Sequence, residues 1–170
     1  MPEMKFCPQC SRPLVEGETA GRVRKHCDDA ACGYVFYDNP LPVVAALLEH
    51  DGDVILVRNK GWPEGWFGVV TGFLERGESP EDGVLREVKE EVGLDGEVVG
   101  LIGVYEFTQR NEIIAAYHVR GRGTVVVGEE LEAVKRVSPA KLRPWPFGTG
   151  KAVRDWLQRR AVNTSSQTEP

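Results

Sequence analysis

The chain has 170 residues, 41% of them hydrophobic, and a formal net charge of −5 at pH 7. This length and apolar content suit one domain with a small appendage, and the acidity argues against a general affinity for nucleic acid or anionic membranes. No apolar run approaches the roughly 20 residues that span a bilayer, and the first ten residues, MPEMKFCPQC, lack the apolar core of a signal peptide. We therefore expect a cytoplasmic protein without a membrane partner. Disulfides would not persist in that reducing compartment.

All four cysteines lie in the first segment, which we delimit as residues 1–40: Cys7, Cys10, Cys27 and Cys32. The two-residue gap in the first pair lets both thiolates of one turn reach a single ion. The segment is short and polar, so a metal is its natural stabiliser. We predict a zinc ribbon in which the four sulfurs bind a structural Zn²⁺. The alternative is four unrelated reduced thiols. A catalytic zinc is disfavoured because cysteine would fill every ligand position.

From Leu41 the pattern becomes that of a mixed α/β domain, which we place at residues 41–162. Two apolar runs flank His50-Asp51-Gly52, which is a hairpin signal. The polar stretch 163–170 is predicted to be a disordered tail. Strands are predicted at 43–49, 53–58, 68–71, 98–107, 113–119, 124–127 and 134–137, and a closing helix at 149–160.

The segment 72–94, GFLERGESPEDGVLREVKEEVGL, is typical of a loop that runs into a short, capped helix. Ser79 suits the N-cap, and Gly93 is where the helix should end. At about 100° per residue, three carboxylates share one face of this helix, at i, i+3 and i+4. Crowded carboxylates repel one another unless a cation lies among them, and oxygen ligands suit Mg²⁺ or Mn²⁺. The alternative is a solvated acidic helix face.

The spacing across this segment is G-x5-E-x7-R-E-U-x-E-E-x-G-U, where U is aliphatic. Every specified position is filled, by Gly72, Glu78, Arg86, Glu87, Val88, Glu90, Glu91, Gly93 and Leu94. The pattern resembles the signature of the Nudix hydrolases. The resemblance implies an α/β/α sandwich with a mixed sheet, here preceded by the ribbon. It also implies hydrolysis of the pyrophosphate bond of a nucleoside diphosphate derivative, which yields two monophosphates.

The same resemblance implies roles within the signature. Glu87 and Glu91 would be the main ligands of Mg²⁺ or Mn²⁺, and Glu90 would be a further ligand or a water-binding group. The backbone carbonyl of Gly72 or of its neighbour Thr71 would complete the metal's ligand shell. One carboxylate would also take the proton of the attacking water.

Other acidic and basic residues would support these ligands. Arg86 and Glu78 would surround them, with Arg86 pairing to a carboxylate and fixing its rotamer. A further ligand or base is expected from outside the signature, and Glu129 is our choice from its position. The other acidic candidates are Glu106, Glu112 and Glu132.

Substrate contacts are predicted from residue type alone. Aromatic rings stack on bases and cations meet phosphate, which makes Arg58, Trp66, Phe67 and Tyr105 the candidates. Most buried aromatic residues belong to a core instead. Further residues of the same types are Lys60, Trp62 and Phe107.

A four-cysteine ribbon joined to this signature through Tyr37 and Asn39-Pro40 resembles the zinc-ribbon Nudix enzymes that act on ADP-ribose or FAD. It resembles the NADH pyrophosphatases less closely. Those carry an S-Q-P-W-P-F-P-x-S stretch soon after the signature, whereas residues 144–147 (PWPF) lie some fifty residues later without the flanking Ser-Gln. We interpret residues 144–147 as a rigid turn before the last helix. The resemblance implies a small-molecule nucleotide substrate, and a homodimer is one assembly that it implies.

A second hypothesis, from another class, is a nucleic-acid-associated module. Arg12, Arg22, Arg24 and Lys25 cluster in the ribbon segment, where they would meet phosphates. The two hypotheses combine in a hydrolase of nucleotide-capped RNA 5′ ends. The complete signature argues against a purely binding role, so the leading prediction is a hydrolase of an ADP-ribose, FAD or NADH type of substrate.

Overall fold

The computed structural model describes residues 3–165, with side chains to Val162. The chain forms two compact units, Met1–Asn39 and Pro40–Pro170. In the first unit three short antiparallel strands pair in the order β1-β2-β3: β1 (Val15–Thr19), β2 (Arg22–His26) and β3 (Val35–Phe36). Within residues 3–39 the buried residues are Cys7 and Cys27 alone. This unit therefore has no apolar core of its own, as expected of a metal-stabilised ribbon.

The second unit is built on one mixed sheet of six strands, with the order β7-β8-β4-β5-β9 and with β6 paired to β4. The parallel pair is β4 with β8, and the other pairs are antiparallel. The strands are β4 (Leu41–His50), β5 (Asp53–Asn59), β6 (Val70–Phe73), β7 (Asp95–Phe107), β8 (Glu112–Arg122) and β9 (Leu131–Val137). The helices are α1 (Pro80–Val92) and α2 (Gly150–Ser165).

Alternate residues along the strands point to opposite faces of the sheet and form two separate hydrophobic cores, one under each helix. On β4, Val44 and Leu48 belong to the core that contains the valines of α1, while Val43 and Leu47 belong to the core that contains Val153 of α2. Val84, Val88 and Val92 of α1 are all fully buried. The unit is thus an α/β/α sandwich, and the predicted fold, a sandwich preceded by a four-cysteine ribbon, is confirmed.

Helix α1 begins and ends where its sequence predicts. The Ser79 hydroxyl accepts the amide of Asp82 at 3.1 Å, and Pro80 is the first helical residue. Gly93 ends the helix with φ +72°, and its N–H donates to the carbonyl of Lys89 at 3.0 Å. These local bonds satisfy terminal backbone groups and fix the direction in which the carboxylates of α1 point.

Three local predictions have different outcomes. The β4–β5 hairpin turns at Asp51 and Gly52, both at positive φ, as its sequence predicts. Residues 124–127 form no strand, because the amide of Val126 instead donates to the carbonyl of Val92 at the end of α1. Helix α2 extends to Ser165, into the predicted tail, and residues 166–170 lie outside the described residues. No helix in the described part of the chain is long and apolar enough to cross a membrane.

Candidate functional site

The four cysteines form one cluster, as their spacing predicts. Their sulfurs all lie within 4.8 Å of one another, with Cys7 and Cys32 at 3.6 Å and Cys10 and Cys27 at 3.5 Å. Burial alone would raise the pKa of the Cys7 thiol, but hydrogen bonds from the backbone of Gln9 and Cys10 and from the Cys32 and Cys10 thiols together lower that pKa to about 7. Four sulfurs at these separations fit a tetrahedral Zn²⁺, whose bonds to sulfur are about 2.3 Å long.

The signature carboxylates line a cavity of about 680 Å³ in the second unit. Helix α1 supplies Glu87, Glu90 and Glu91, and the backbone of β6 supplies the opposite wall at Thr71 and Gly72. We call this space the acidic cavity, because seven glutamates line it. They are Glu75, Glu87, Glu90, Glu91, Glu112, Glu129 and Glu130.

Arg86 binds the signature carboxylates through all three of its guanidinium nitrogens. Its Nε and Nη2 donate to the two carboxylate oxygens of Glu78, at 3.1 and 2.9 Å. Its Nη1 donates to Glu87 at 2.7 Å and to Glu90 at 3.1 Å, while Nη2 also reaches the Phe73 carbonyl at 3.1 Å. The bonds from Arg86 lower the pKa of Glu78. The guanidinium is therefore engaged by the protein itself and fixes the rotamers of several carboxylates.

The acidic cavity fits a divalent cation on two observations. Oε2 of Glu91 is buried and has no hydrogen-bond partner within residues 3–165, and a buried carboxylate oxygen needs one. A Cβ added at Gly72 would lie 1.9 Å from the Glu87 carboxylate, so a glycine is required for that carboxylate to approach the strand. Converging carboxylate oxygens, one of them without a hydrogen-bond donor, suit Mg²⁺ or Mn²⁺.

The charges of this cavity perturb one another. Burial, followed by the charges of Glu87, Glu130 and Glu90, raises the pKa of Glu91 to about 8. Burial also raises the pKa of Glu87, although Arg86 opposes this. A cation among these groups would remove the repulsion.

Sequence reasoning missed Glu130. Glu129 lines the acidic cavity as predicted, and Glu130 lines it too, where its charge adds to the effect of burial in raising the pKa of both Glu87 and Glu91. The amide of Gly128 donates to the Glu91 carbonyl at 2.8 Å and so holds the turn of Glu129 and Glu130 beside α1. No pattern within that loop reveals this contact with a distant helix. Of the other candidates, Glu112 lines the cavity and Glu106 and Glu132 do not.

A second cavity, of about 550 Å³, has six aromatic residues in its lining. We call it the aromatic cavity. The predicted Trp66 and Phe67 line it, and the rings of Trp66 and Phe147 lie 6.0 Å apart at a tilt of 36°. Phe147 and Trp145 were interpreted as parts of a rigid turn, and their place in this lining was not predicted. The aromatic residues of the lining are Trp62, Trp66, Phe67, Phe107, Trp145 and Phe147.

The two cavities adjoin each other, since five residues line both of them. The shared residues are Val43, Trp62, Thr71, Arg110 and Glu112. Arg110 and Glu112 lie at the tip of the β7–β8 hairpin, where a 3₁₀ turn spans Thr108–Arg110. A ligand with a planar group and a charged group could therefore occupy both cavities at once.

Three predicted substrate contacts, Tyr105, Arg58 and Lys60, do not lie in either lining. Tyr105 is 9% exposed in the core under α2, where its hydroxyl donates to Asp155 at 2.9 Å and burial raises its pKa to about 12. Its ring is therefore packed away from both cavities. Arg58 lies on β5 opposite Ala133, and it also lines neither cavity.

The fold and the signature together are those of a family of hydrolases. Residues 39–159 match the family model described as the NUDIX domain, so the chain belongs to the Nudix hydrolase family. The prediction that this protein is a Nudix-type hydrolase is thereby confirmed.

Individual relatives narrow the comparison. An ADP-ribose pyrophosphatase of Methanocaldococcus jannaschii is 30% identical over 132 residues, which cover 74% of this chain and 78% of that protein. An NAD-capped RNA hydrolase NudC of Pseudomonas fluorescens is 25% identical over 146 residues, which cover 85% of this chain and 51% of that protein. The chain thus spans about half the length of that NudC relative. A crystal structure of a Nudix hydrolase from Nitrosomonas europaea superposes with a TM-score of 0.79 at 23% identity, covering 93% of each chain, and supports the fold.

Proposed function

We propose that this protein is a divalent-metal-dependent hydrolase that cleaves the diphosphate bond of a nucleoside diphosphate derivative of the ADP-ribose, FAD or NADH type. The observation that carries the proposal is that the acidic cavity adjoins the aromatic cavity and shares five lining residues with it. A planar base stacks well on aromatic rings. A diphosphate attached to that base would then lie beside the carboxylates of α1.

The carboxylates of α1 would have different roles in binding the cations. Glu87 and Glu91 would hold the cations, with Glu90 as a further ligand or a water-binding group, and the carbonyl of Thr71 or Gly72 would add an oxygen. Bound Mg²⁺ or Mn²⁺ shields phosphate charge and acidifies a water molecule. Arg86 keeps the Glu87 carboxylate in place through its 2.7 Å hydrogen bond.

A base for the attacking water would come from outside the signature. Glu129, Glu130 and Glu112 are the candidates, since each lines the acidic cavity on an element other than α1. A base must lie within hydrogen-bond reach of the proton that it takes, directly or through one water. Variants of these three glutamates, one at a time, would identify the base by the loss of kcat.

The test is a substrate panel of ADP-ribose, FAD, NADH, diadenosine polyphosphates and nucleotide sugars, with Mg²⁺ or Mn²⁺ and with the products identified by chromatography. We expect hydrolysis of at least one of them into two monophosphates. The double variant Glu90→Gln/Glu91→Gln should lose this activity and remain folded, whereas Glu97→Gln, an exposed glutamate on β7, should retain it. No hydrolysis of any panel member, or full activity in the double variant, would overturn the proposal.

A second candidate is a hydrolase of nucleotide-capped RNA 5′ ends, which the names of the NudC relatives support. The charge of the ribbon unit gives it little support, since residues 1–39 contain five Lys or Arg and six Asp or Glu. Comparison of kcat/KM for NAD-capped RNA with that for free NAD decides between the two. A preference for the capped RNA that disappears at high salt would favour the second candidate.

A further inference from the structure

We propose that Arg110, at the tip of the β7–β8 hairpin, binds the phosphate group nearest the base of the substrate. The inference deepens the proposed function and rests on it. Arg110 lines both cavities, so the residue lies where they adjoin. If the aromatic cavity takes a base and the acidic cavity takes the cations, the phosphate attached to the nucleoside half must lie at this junction.

The charges of the two linings single out Arg110. Within residues 3–165 the cationic side chains in these linings are Arg86 and Arg110. Arg86 is already bonded to three carboxylates and to a backbone carbonyl. Seven glutamates line the acidic cavity, and an anionic substrate needs a cation of the protein that these glutamates have not already bound.

Arg110 meets that requirement. Its guanidinium carbon lies 5.9 Å from the centroid of the Phe107 ring, and Arg110 forms no ion pair within the described residues. The neighbouring Glu112 lies close enough for the charge of Arg110 to oppose the rise of its pKa. A guanidinium that stacks on a ring keeps its edge free for a phosphate, which it can bind through two parallel hydrogen bonds.

The backbone around Arg110 supports this position. Asn111 follows in the left-handed conformation, with φ +53°, and its amide closes the 3₁₀ turn on Thr108 at 3.2 Å. The amide of Leu41 donates to the Asn111 carbonyl at 2.8 Å, which ties the hairpin tip to the start of β4. The hairpin tip is thus anchored to the sheet that forms the floor of both cavities, and Arg110 is held at their junction.

The test uses AMP and adenosine, because ADP-ribose, FAD and NADH all contain the AMP group. Binding to the full chain is measured by tryptophan fluorescence with Mg²⁺ present, since AMP has no diphosphate bond to be cleaved. Arg110→Met should weaken the binding of AMP by about tenfold or more, and that of adenosine by less than about twofold. Arg110→Lys should bind AMP with intermediate affinity, because it keeps the charge and loses the two-bond geometry.

The matched control is Arg120→Met, an exposed arginine near the far end of β8 that lines neither cavity. It should bind both probes like the wild type. On a hydrolysed substrate, Arg110→Met should raise KM more than it lowers kcat, since the contact exists before the reaction.

Three results would overturn the assignment of Arg110. They are unchanged AMP affinity in Arg110→Met, equal weakening of AMP and adenosine, and no AMP binding by the wild type. Failure of the proposed function is a different result. In that case no panel substrate is hydrolysed, while the AMP and adenosine measurements still decide the role of Arg110.

Discussion

In buffer free of divalent ions, the variant Glu91→Gln should be more stable than the wild type. Glu91 is 5% exposed, and burial, with the charges of Glu87, Glu130 and Glu90, raises its pKa from 4.5 to about 8. A carboxyl group whose pKa is higher in the folded state than in the unfolded state binds its proton more tightly in the folded state. Its contribution to folding stability is complete below the unfolded-state pKa and is lost as the pH rises through the folded-state pKa. Each pKa unit is worth about 1.4 kcal/mol, so the loss reaches about 3 kcal/mol at pH 7 and roughly 5 kcal/mol well above pH 8.

Urea unfolding followed by tryptophan fluorescence at pH 5, 7 and 8.5 measures this effect, because all four tryptophans lie in the same unit as Glu91. The free energy of unfolding of the wild type should fall across this range and that of Glu91→Gln should fall much less. The two should differ by about 3 kcal/mol or more at pH 8.5. Glu97→Gln is the matched control, because the Glu97 side chain is 62% exposed and lines neither cavity, and this variant should keep the wild-type slope. Equal slopes in the wild type and in Glu91→Gln would refute the reasoning.

Three further variants test separate parts of the molecule. Gly72→Ala should lower kcat/KM by about tenfold or more, because the new Cβ displaces the Glu87 carboxylate from its bond to Arg86. Unchanged kinetics would contradict a role for that carboxylate. Ser79→Ala should destabilise the protein by about 1 kcal/mol in urea unfolding, since it removes the N-cap bond to Asp82, and no change would mean that the cap contributes nothing. Cys27→Ser should lose bound zinc in metal analysis, and full retention would argue against a four-sulfur site.

The features that the sequence predicts well are those that neighbouring residues decide. Ser79 and Gly93 cap α1 through bonds within four residues, and the turn at Asp51 and Gly52 needs only its own backbone conformation. The spacing of the carboxylates on α1 likewise follows from helical geometry. These elements need no information from elsewhere in the chain.

The features that the sequence misses depend on contacts between distant segments. Glu130 lies near the carboxylates because the amide of Gly128 donates to the Glu91 carbonyl at the end of α1. The local sequence around Gly128 or around Glu91 does not indicate this hydrogen bond. Tyr105 was predicted to contact substrate, but β7 shifts register against β8 twice, between Val98 and Gly100 and between Leu101 and Gly103. Simple alternation along β7 therefore does not tell which face a side chain occupies.

The signature alone cannot select the substrate, and the structure gives the physical reason. The signature supplies α1 and part of β6, which line the acidic cavity, whereas every ring of the aromatic cavity lies outside it. Those rings come from the loop after β5, from the β7–β8 hairpin and from the segment before α2, which the sheet brings together. Relatives with the same nine signature residues can therefore share the hydrolysis of a diphosphate while holding different groups beside it. The residues that determine which substrate is bound should be sought in these three segments and in the tip of the β7–β8 hairpin, which lines both cavities.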